Sequence, residues 1–328
     1  MSLTISDRPI GIRGVAGVLP PATCTVEELE RDGRLVSDGA SLEGLGFEKV
    51  HICDREHGVE WMAREAARRA MLSAGVQPGD IDLLIWVSAL AETHIREPEG
   101  EPLSPIEELL GRFHYRASWL QDELSLDGAR VTSIAQQGCA GMFSALSMAH
   151  AALASDASVR NVLCVGVDAL PEGAPREILY NLISDAGCAV VLSRESLQCR
   201  WRAYHQVSKG YYWNIVEKQK EIIASYFPTS RAVIRELLAK AGIGPDEIRW
   251  ILPTGVSQGS WEILAGITSL DPQRIHRAPS SFGHTIAADN LLQLESLLAS
   301  GEARAGDPML LFTYGFGSSW CGLILEAE

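Results

Sequence analysis

The chain has 328 residues, enough for one large core or two fused halves, and its 46% hydrophobic and 21% charged residues exclude a disordered protein. Its net charge of −14 argues against nucleic acid as a partner, because phosphate binding requires a basic surface. The N-terminal residues lack a signal-peptide pattern and no apolar run of about 18 residues occurs, so we expect a cytoplasmic protein with no membrane partner.

The seven cysteines are odd in number, and their spacings suit neither a zinc site nor a disulfide framework. We therefore expect a reducing compartment and no metal site. Several of these cysteines lie in apolar segments, where the residue usually serves as a small hydrophobic side chain. Cys139 differs from them, because it follows a glycine between a predicted strand and a predicted helix.

In chain order, the first strongly patterned unit is a helix at 62–74, a Gly-Pro turn and an apolar strand at 82–89. The unit returns as a helix at 230–241 and a strand at 249–254, and AGIGPDEIRWIL matches the earlier AGVQPGDIDLLIW at a constant spacing of 167 residues. A spacing near half the chain length predicts an internal duplication. Both strands are apolar on both faces, which is typical of strands covered by helices in a mostly parallel sheet.

The two halves continue in the same order. After segment 91–128, predicted as a Pro- and Glu-rich loop and then a helix, a strand at 130–135 leads through Cys139 into an apolar helix. In the second half a strand at 274–281 leads through His284 into another helix, and each half then closes with two apolar strands. This alternation predicts an α/β fold with parallel sheets, in which a pseudo-twofold axis brings the Gly-Cys and Gly-His turns together.

Five segments resemble the thiolase-fold ketoacyl synthase III family, in the order in which that family has them. They are AQQGCAGMFSAL around Cys139, LISDAGCAVVL at 182–192, LPTGVS at 252–257, SFGHTIAAD at 281–289 and YGFGSSW at 314–320. The resemblance implies a five-layered α-β-α-β-α thiolase fold from two duplicated halves, with residues 1–200 carrying the nucleophile and residues 201–328 carrying His284 and a glycine-rich loop. It also implies a homodimer and an acyl thioester of coenzyme A or acyl carrier protein as substrate, with no permanently bound cofactor.

The chain departs from the family at two of three active-site positions. Cys139 fits the family's cysteine, but Thr254 stands where the family has a histidine in a Pro-His-Gln-Ala-Asn segment. His284 stands where the family has the asparagine of a Gly-Asn-Thr segment. The pattern is similar to family members that acylate oxygen or nitrogen.

The residue types at these positions suit covalent acyl transfer. Cys139 begins a helix whose partial positive charge favours a thiolate, although the residue could instead be a core cysteine. His284 could accept a proton from the thiol or from an incoming acceptor, or could serve only a structural role. Asp289 can orient the imidazole only if His284 precedes the helix, since five residues along one helix separate two side chains by about 140°; otherwise it is an acid favoured by the helix dipole.

The resemblance also assigns the oxyanion hole and the adjacent substrate contacts. Its donors are the backbone amides of Cys139 and of Phe316, which stands where the family has glycine. Gly315 and Gly317 keep this loop permissive, and together with Thr254 they are expected to contact the substrate.

Acyl transfer to a small hydroxyl or amine acceptor is the favoured activity. Thr254 and His284 form a poor site for the enolate of a decarboxylative condensation, whereas a cysteine with one histidine base suits ester or amide formation. Condensation and a non-catalytic partner subunit remain as alternatives. The family's carrier-binding arginine is Gly259 here, so the donor is either a coenzyme A thioester or a carrier protein.

Overall fold

The computed structural model describes residues 8–90, 104–110, 115–278, 282–316 and 318–328. The strands are β1 (Gly11–Val18), β2 (Thr23–Thr25), β3 (Lys49–His51), β4 (Leu83–Val87), β5 (Arg130–Ile134), β6 (Asn161–Asp168), β7 (Glu177–Ile178), β8 (Asn181–Leu182), β9 (Ala186–Ser193), β10 (Cys199–Ser208), β11 (Trp250–Leu252), β12 (Pro308–Gly315) and β13 (Ser319–Ala327). The helices are α1 (Val26–Arg31), α2 (Gly39–Gly44), α3 (Val59–Ala74), α4 (Pro105–Leu110), α5 (Arg116–Glu123), α6 (Gly141–Ser155), α7 (Ile215–Ala241), α8 (Gln258–Thr268) and α9 (Asp289–Ser300).

The two halves of the chain build the same strand order. The first half pairs in the order β1-β9-β6-β4-β5, and the second half repeats the first four positions of this order as β10-β13-β12-β11, with no counterpart of β5 among the described residues. β4, β5 and β6 run parallel, whereas β9 runs antiparallel to both β6 and β1. In the second half β11 and β12 run parallel, and β13 runs antiparallel to β12 and β10. The predicted duplication is therefore visible in the topology, but each half has a mixed sheet rather than a purely parallel one.

Apolar packing arranges these elements in five layers. Side chains of α6 and α9, including Phe143, Leu146, Leu291 and Leu294, form the central core between the two sets of strands. α3 covers the outer face of the first set, and α7 and α8 cover the outer face of the second. The order α-β-α-β-α is the predicted thiolase fold. Two antiparallel residue pairs between strands β1 and β10 join the edges of the two halves. The domain boundary predicted after residue 200 falls inside β10.

The strand predicted at 274–281 does not form within the residues that the structure describes there. Ile275 makes only an isolated parallel bridge to Ile251, after a 3-10 turn at Pro272–Arg274. The Ala278 backbone N–H donates to the side chain of Gln293 at 3.0 Å rather than to a neighbouring strand. A side chain from α9 therefore replaces part of the expected ladder.

Helix α7 begins at Ile215, although the sequence pattern predicted a helix only from residue 230. The Asn214 side chain accepts a hydrogen bond from the Glu217 backbone N–H and caps the start of the helix. Pro228 lies inside the helix, where it removes one backbone hydrogen bond without ending it, because apolar residues on both sides pack against the second half. In segment 91–128, residues 91–103 and 111–114 lie outside the described residues, and α4 and α5 occupy the part predicted as helix.

Two further expectations concern the whole chain. Among the described residues, no helix is long and apolar enough to cross a membrane. The same residues contain no cluster of His, Cys, Asp and Glu side chains that could hold a metal ion. All seven cysteines are free thiols.

Candidate active site

Cys139 lies on a tight turn between β5 and the central helix α6. Gln136 and Gly138 have positive φ values of 63° and 51°, and residues Gly138–Ala140 form a 3-10 turn that leads directly into α6. The thiol side chain is half-buried and lines a cavity of about 730 Å³. The turn thus presents the sulfur atom to the cavity at the N-terminal end of the helix.

The cysteine turn packs directly against the backbone of the glycine-rich loop. A Cβ atom on Gly138 would lie 2.4 Å from the Phe316 nitrogen, and one on Gly315 would lie 2.0 Å from the Gln137 oxygen. Only glycine fits at both positions, so the two backbone segments can touch. This contact brings the Phe316 amide beside the turn that carries Cys139, as an oxyanion hole requires. Gly317 lies outside the described residues.

His284 precedes helix α9 and is held by backbone hydrogen bonds to the first half of the chain. Its N–H donates to the Leu182 oxygen at 2.7 Å, and its own oxygen accepts from the Ser184 N–H at 2.9 Å. Its Nε2 atom lies 3.2 Å from the Cys139 sulfur. The pseudo-twofold arrangement predicted from the two turns therefore brings the cysteine and the histidine into contact.

Asp289 is the first residue of α9, so His284 lies outside the helix and the two side chains can meet. The Oδ2 atom lies 2.5 Å from His284 Nδ1 and also accepts the Gly255 N–H at 2.7 Å. The Oδ1 atom accepts the N–H and the hydroxyl of Thr285 at 2.6 and 2.7 Å. The side chain of Asp289 is 1% exposed, so these hydrogen bonds fully satisfy a buried carboxylate.

The surroundings of His284 favour its charged form. Burial alone lowers the pKa of His284, but the Asp289 carboxylate and the Cys139 sulfur raise it by more, so its pKa lies well above the usual value. The arrangement therefore places a cysteine nucleophile 3.2 Å from a histidine that can donate and accept a proton through Nε2.

Thr254 is buried and lines the same cavity, and its backbone oxygen accepts from the Trp261 indole N–H at 3.0 Å. The backbone N–H of the next residue, Gly255, donates to the Asp289 carboxylate. The Thr254 segment therefore helps to hold the Asp289 side chain, which in turn contacts His284. Sequence reasoning missed Gly255 and Thr285. No local sequence pattern indicated either residue, because both contact Asp289 from outside helix α9.

The cavity around Cys139 is mostly apolar. Aliphatic side chains of the first half line it, and α7 together with the glycine-rich loop adds the aromatic side chains of Tyr226, Phe227, Tyr314 and Phe316. No Asp, Glu, Lys or Arg occurs among the described residues that line it. The α7 contribution was not predicted, because nothing in the local pattern distinguishes its first three turns from a surface segment.

A duplicated five-layered α/β fold with a cysteine at the start of a central helix defines the thiolase-fold class. The family model of 3-oxoacyl-[acyl-carrier-protein] synthase III matches residues 135–210, and its C-terminal model matches residues 238–327, together more than half of the chain. The chain belongs to this ketoacyl synthase III-like family of enzymes.

Individual relatives agree with this assignment over nearly the whole length. The beta-ketoacyl-[acyl-carrier-protein] synthase III of Aquifex aeolicus is 24% identical over 326 residues, which cover 96% of this chain and 98% of the relative. The crystal structure of the Aquifex aeolicus synthase has a TM-score of 0.82 at 22% identity and covers 97% of this chain and 99% of its own. The structure of the acyltransferase ChlB3 has a TM-score of 0.81 at 22% identity and covers 97% of this chain and 98% of its own.

Proposed function

We propose that the protein is an acyltransferase that carries the acyl group as a thioester on Cys139 and passes it to a hydroxyl or amine acceptor. The observation that supports this most directly is the position of His284, 3.2 Å from Cys139 through Nε2 and 2.5 Å from Asp289 through Nδ1. The nucleophile Cys139 thus contacts the base His284, and His284 contacts Asp289, which orients it.

In the first step the Cys139 thiolate attacks the carbonyl carbon of the donor thioester. The oxyanion that forms accepts hydrogen bonds from the backbone N–H groups of Cys139 and Phe316. Collapse of the tetrahedral intermediate breaks the bond to the departing thiolate, which takes the proton of the His284 imidazolium. The products are the acyl-enzyme, a free pantetheine thiol and a neutral His284.

In the second step the neutral His284 removes the proton of the acceptor as its oxygen or nitrogen attacks the acyl carbonyl. The same backbone donors hold the second oxyanion, and the Cys139 sulfur leaves as a thiolate beside the newly charged imidazolium. Asp289 accepts the Nδ1–H throughout, so that Nε2 always faces the sulfur and the acceptor. Thr254, whose side chain lines the cavity, contributes a hydroxyl to the substrate contacts.

The donor is an acyl thioester of coenzyme A or of a carrier protein, which binds as a substrate, and no cofactor is expected to stay bound. Among the described residues the lining contains no Lys or Arg, which favours an uncharged acyl group, because a malonyl carboxylate would lose water and find only the His284 cation there. A homodimer in the cytoplasm is expected, as the family resemblance implies, with a small molecule as acceptor.

Decarboxylative condensation is the second candidate, favoured by the similarity to beta-ketoacyl-[acyl-carrier-protein] synthases III. It requires donors around the malonyl thioester carbonyl, and Thr254 supplies a single hydroxyl where the family has a histidine. A non-catalytic subunit is the third candidate, which the close approach of His284 to the Cys139 sulfur disfavours.

Intact-protein mass spectrometry tests the proposal. We expect the wild type to gain the mass of one acyl group from an uncharged acyl-CoA, and Cys139→Ala to gain none. Addition of a hydroxyl or amine acceptor should then release the acyl group as an ester or amide. Loss of carbon dioxide from malonyl-CoA with formation of a ketone would support condensation instead. No adduct with any CoA or carrier-protein donor would support the non-catalytic subunit.

A further inference from the structure

The cavity wall contains an unusual concentration of left-handed backbone. Eight non-glycine residues in the described part of the chain have positive φ: Ser125, Gln136, Leu179, Tyr180, Ser196, Ser269, Ile286 and Ser318. The four that are not serine all line the cavity that contains Cys139. Large side chains in this conformation are strained, and such strain persists where the surrounding structure enforces it, often at ligand-binding sites.

Leu179 and Tyr180 are the two central residues of the hairpin between β7 and β8. Their φ values are 51° and 63°, and Ile178 pairs with Asn181 across the turn. Positive φ at both central residues is the pattern of a type I′ turn, which strongly prefers Asn-Gly. Leu179 and Tyr180 therefore occupy two positions whose left-handed backbone conformation is unfavourable for residues with large side chains.

Several contacts hold this turn in place from its two ends. The Asn181 amide donates to the backbone oxygens of Ile178 and Leu179 at 3.2 and 3.0 Å. The Glu177 carboxylate accepts three hydrogen bonds at 2.7 Å from Val36 and Ser37, which fixes the first strand. These contacts therefore hold Leu179 and Tyr180 in the strained conformation.

The two side chains at the turn meet the substrate space. Leu179 lines the cavity together with the aliphatic residues Leu90, Ile183 and Ile286, and Tyr180 lines it while remaining 62% exposed. Tyr180 therefore lies where the cavity opens to solvent, and Leu179 contributes to its apolar wall.

We propose that the Leu179–Tyr180 turn determines acyl specificity, and that its strained backbone is retained because it holds these two side chains against an uncharged aliphatic acyl group. This inference rests on the acyltransferase function proposed above. The wall formed by Leu179, Ile183 and Ile286 excludes charged acyl groups by desolvation and limits the length and branching of those that enter.

The test replaces the turn by its preferred sequence in Leu179→Asn/Tyr180→Gly. Because this relieves the backbone strain, we expect the melting temperature to rise by about 2 °C or more. Because it removes both side chains from the wall, we expect the Cys139 acylation rates of long and branched acyl-CoA donors to rise relative to the preferred donor, by about tenfold or more. Tyr180→Gly alone keeps Leu179 and should shift the profile less.

Ser269→Gly is the matched control. Ser269 also has a positive φ, at 61°, but it is an exposed helix cap that does not line the cavity. Its replacement should raise the melting temperature and leave the donor profile unchanged.

The outcomes separate this inference from the proposed function. If the wild type is acylated and the double variant keeps the wild-type donor profile, the turn does not set specificity. A double variant that melts below the wild type would show that the turn is not strained, and would overturn the inference as well. If the wild type itself is acylated by no donor, the proposed function fails and not the turn alone.

Discussion

At the scale of single residues, Asp289 controls the charge of the catalytic histidine in the mechanism that we propose. In the acyl-enzyme Cys139 no longer carries a negative charge, so the Asp289 carboxylate is the main group that still raises the pKa of His284. The transfer step requires neutral His284. Its rate should therefore increase with pH until the imidazole has lost its proton.

Asp289→Asn should change both the rate and its pH dependence. Removing the carboxylate lowers the pKa of His284, so the acidic limb of the transfer rate should move to lower pH, while the maximal rate falls by about 10²- to 10⁴-fold. The measurement is single-turnover release of a preformed acyl group as a function of pH. Thr285→Val is the control, because it removes one donor to Asp289 and leaves the carboxylate. An acidic limb that does not move in Asp289→Asn would contradict this role.

Gly315 tests the contact between the two backbone segments of the oxyanion hole. In Gly315→Ala the new Cβ atom would meet the Gln137 oxygen at 2.0 Å, so the loop must move away from the cysteine turn. We expect the acylation rate to fall by about 10²- to 10³-fold, as for the loss of an oxyanion donor. Gly79→Ala, where no atom lies within 4 Å, should leave the rate unchanged. A normal rate in Gly315→Ala would show that the Phe316 amide does not take part.

At the scale of secondary-structure elements, a buried ion pair fixes the β7–β8 hairpin and the backbone that holds His284. Arg176 and Asp185 are 1% and 0% exposed, and their side chains lie 2.5 and 3.1 Å apart at two pairs of atoms. Asp185 also accepts the backbone N–H groups of Cys53 and Leu170. The neighbouring residue Ser184 donates to the His284 backbone, so the pair supports the active site indirectly.

Arg176→Met should lower the free energy of unfolding by about 3–5 kcal/mol, because it leaves a buried carboxylate without its counter-charge. Urea unfolding measures the change. Arg8→Met is the control for an exposed pair, since Arg8 and Glu195 are 68% and 64% exposed there, and it should cost less than about 1 kcal/mol. Asp185→Asn in the Arg176→Met background removes the unpaired charge and keeps a side-chain acceptor for the Cys53 or Leu170 N–H, so it should recover part of the loss. An equally large effect in Arg8→Met would argue against burial as the cause.

At the scale of the whole molecule, the sequence predicts the two duplicated halves and the two turns that meet at the candidate site. The constant spacing of 167 residues reveals the two halves, and the Gly-Cys and Gly-His turns indicate which loops meet. The remaining features depend on tertiary contacts that leave no local pattern. Tyr226 lines the cavity only because α7 extends beyond Pro228, and Ile275 fails to begin a strand because α9 supplies a competing hydrogen bond nearby.

The shared central layer should make the two halves unfold together. α6 comes from the first half and α9 from the second, and both contribute to one core between the two sets of strands. Leu84 and Leu237 are each fully buried on the outer face of a different half. Leu84→Ala and Leu237→Ala should each cost about 2–5 kcal/mol, and each should destabilise both halves equally.

Native-state hydrogen exchange resolves the two halves separately. In both variants the slowest amides of β6, in the first half, and of β12, in the second, should lose the same amount of protection, because neither half can keep its inner face buried after the other has opened. If Leu237→Ala instead lowered protection in β12 and left β6 as in the wild type, the halves would be independent units. The contact between Cys139 and His284, which joins one half to the other, would then depend on their docking rather than on a single folded core.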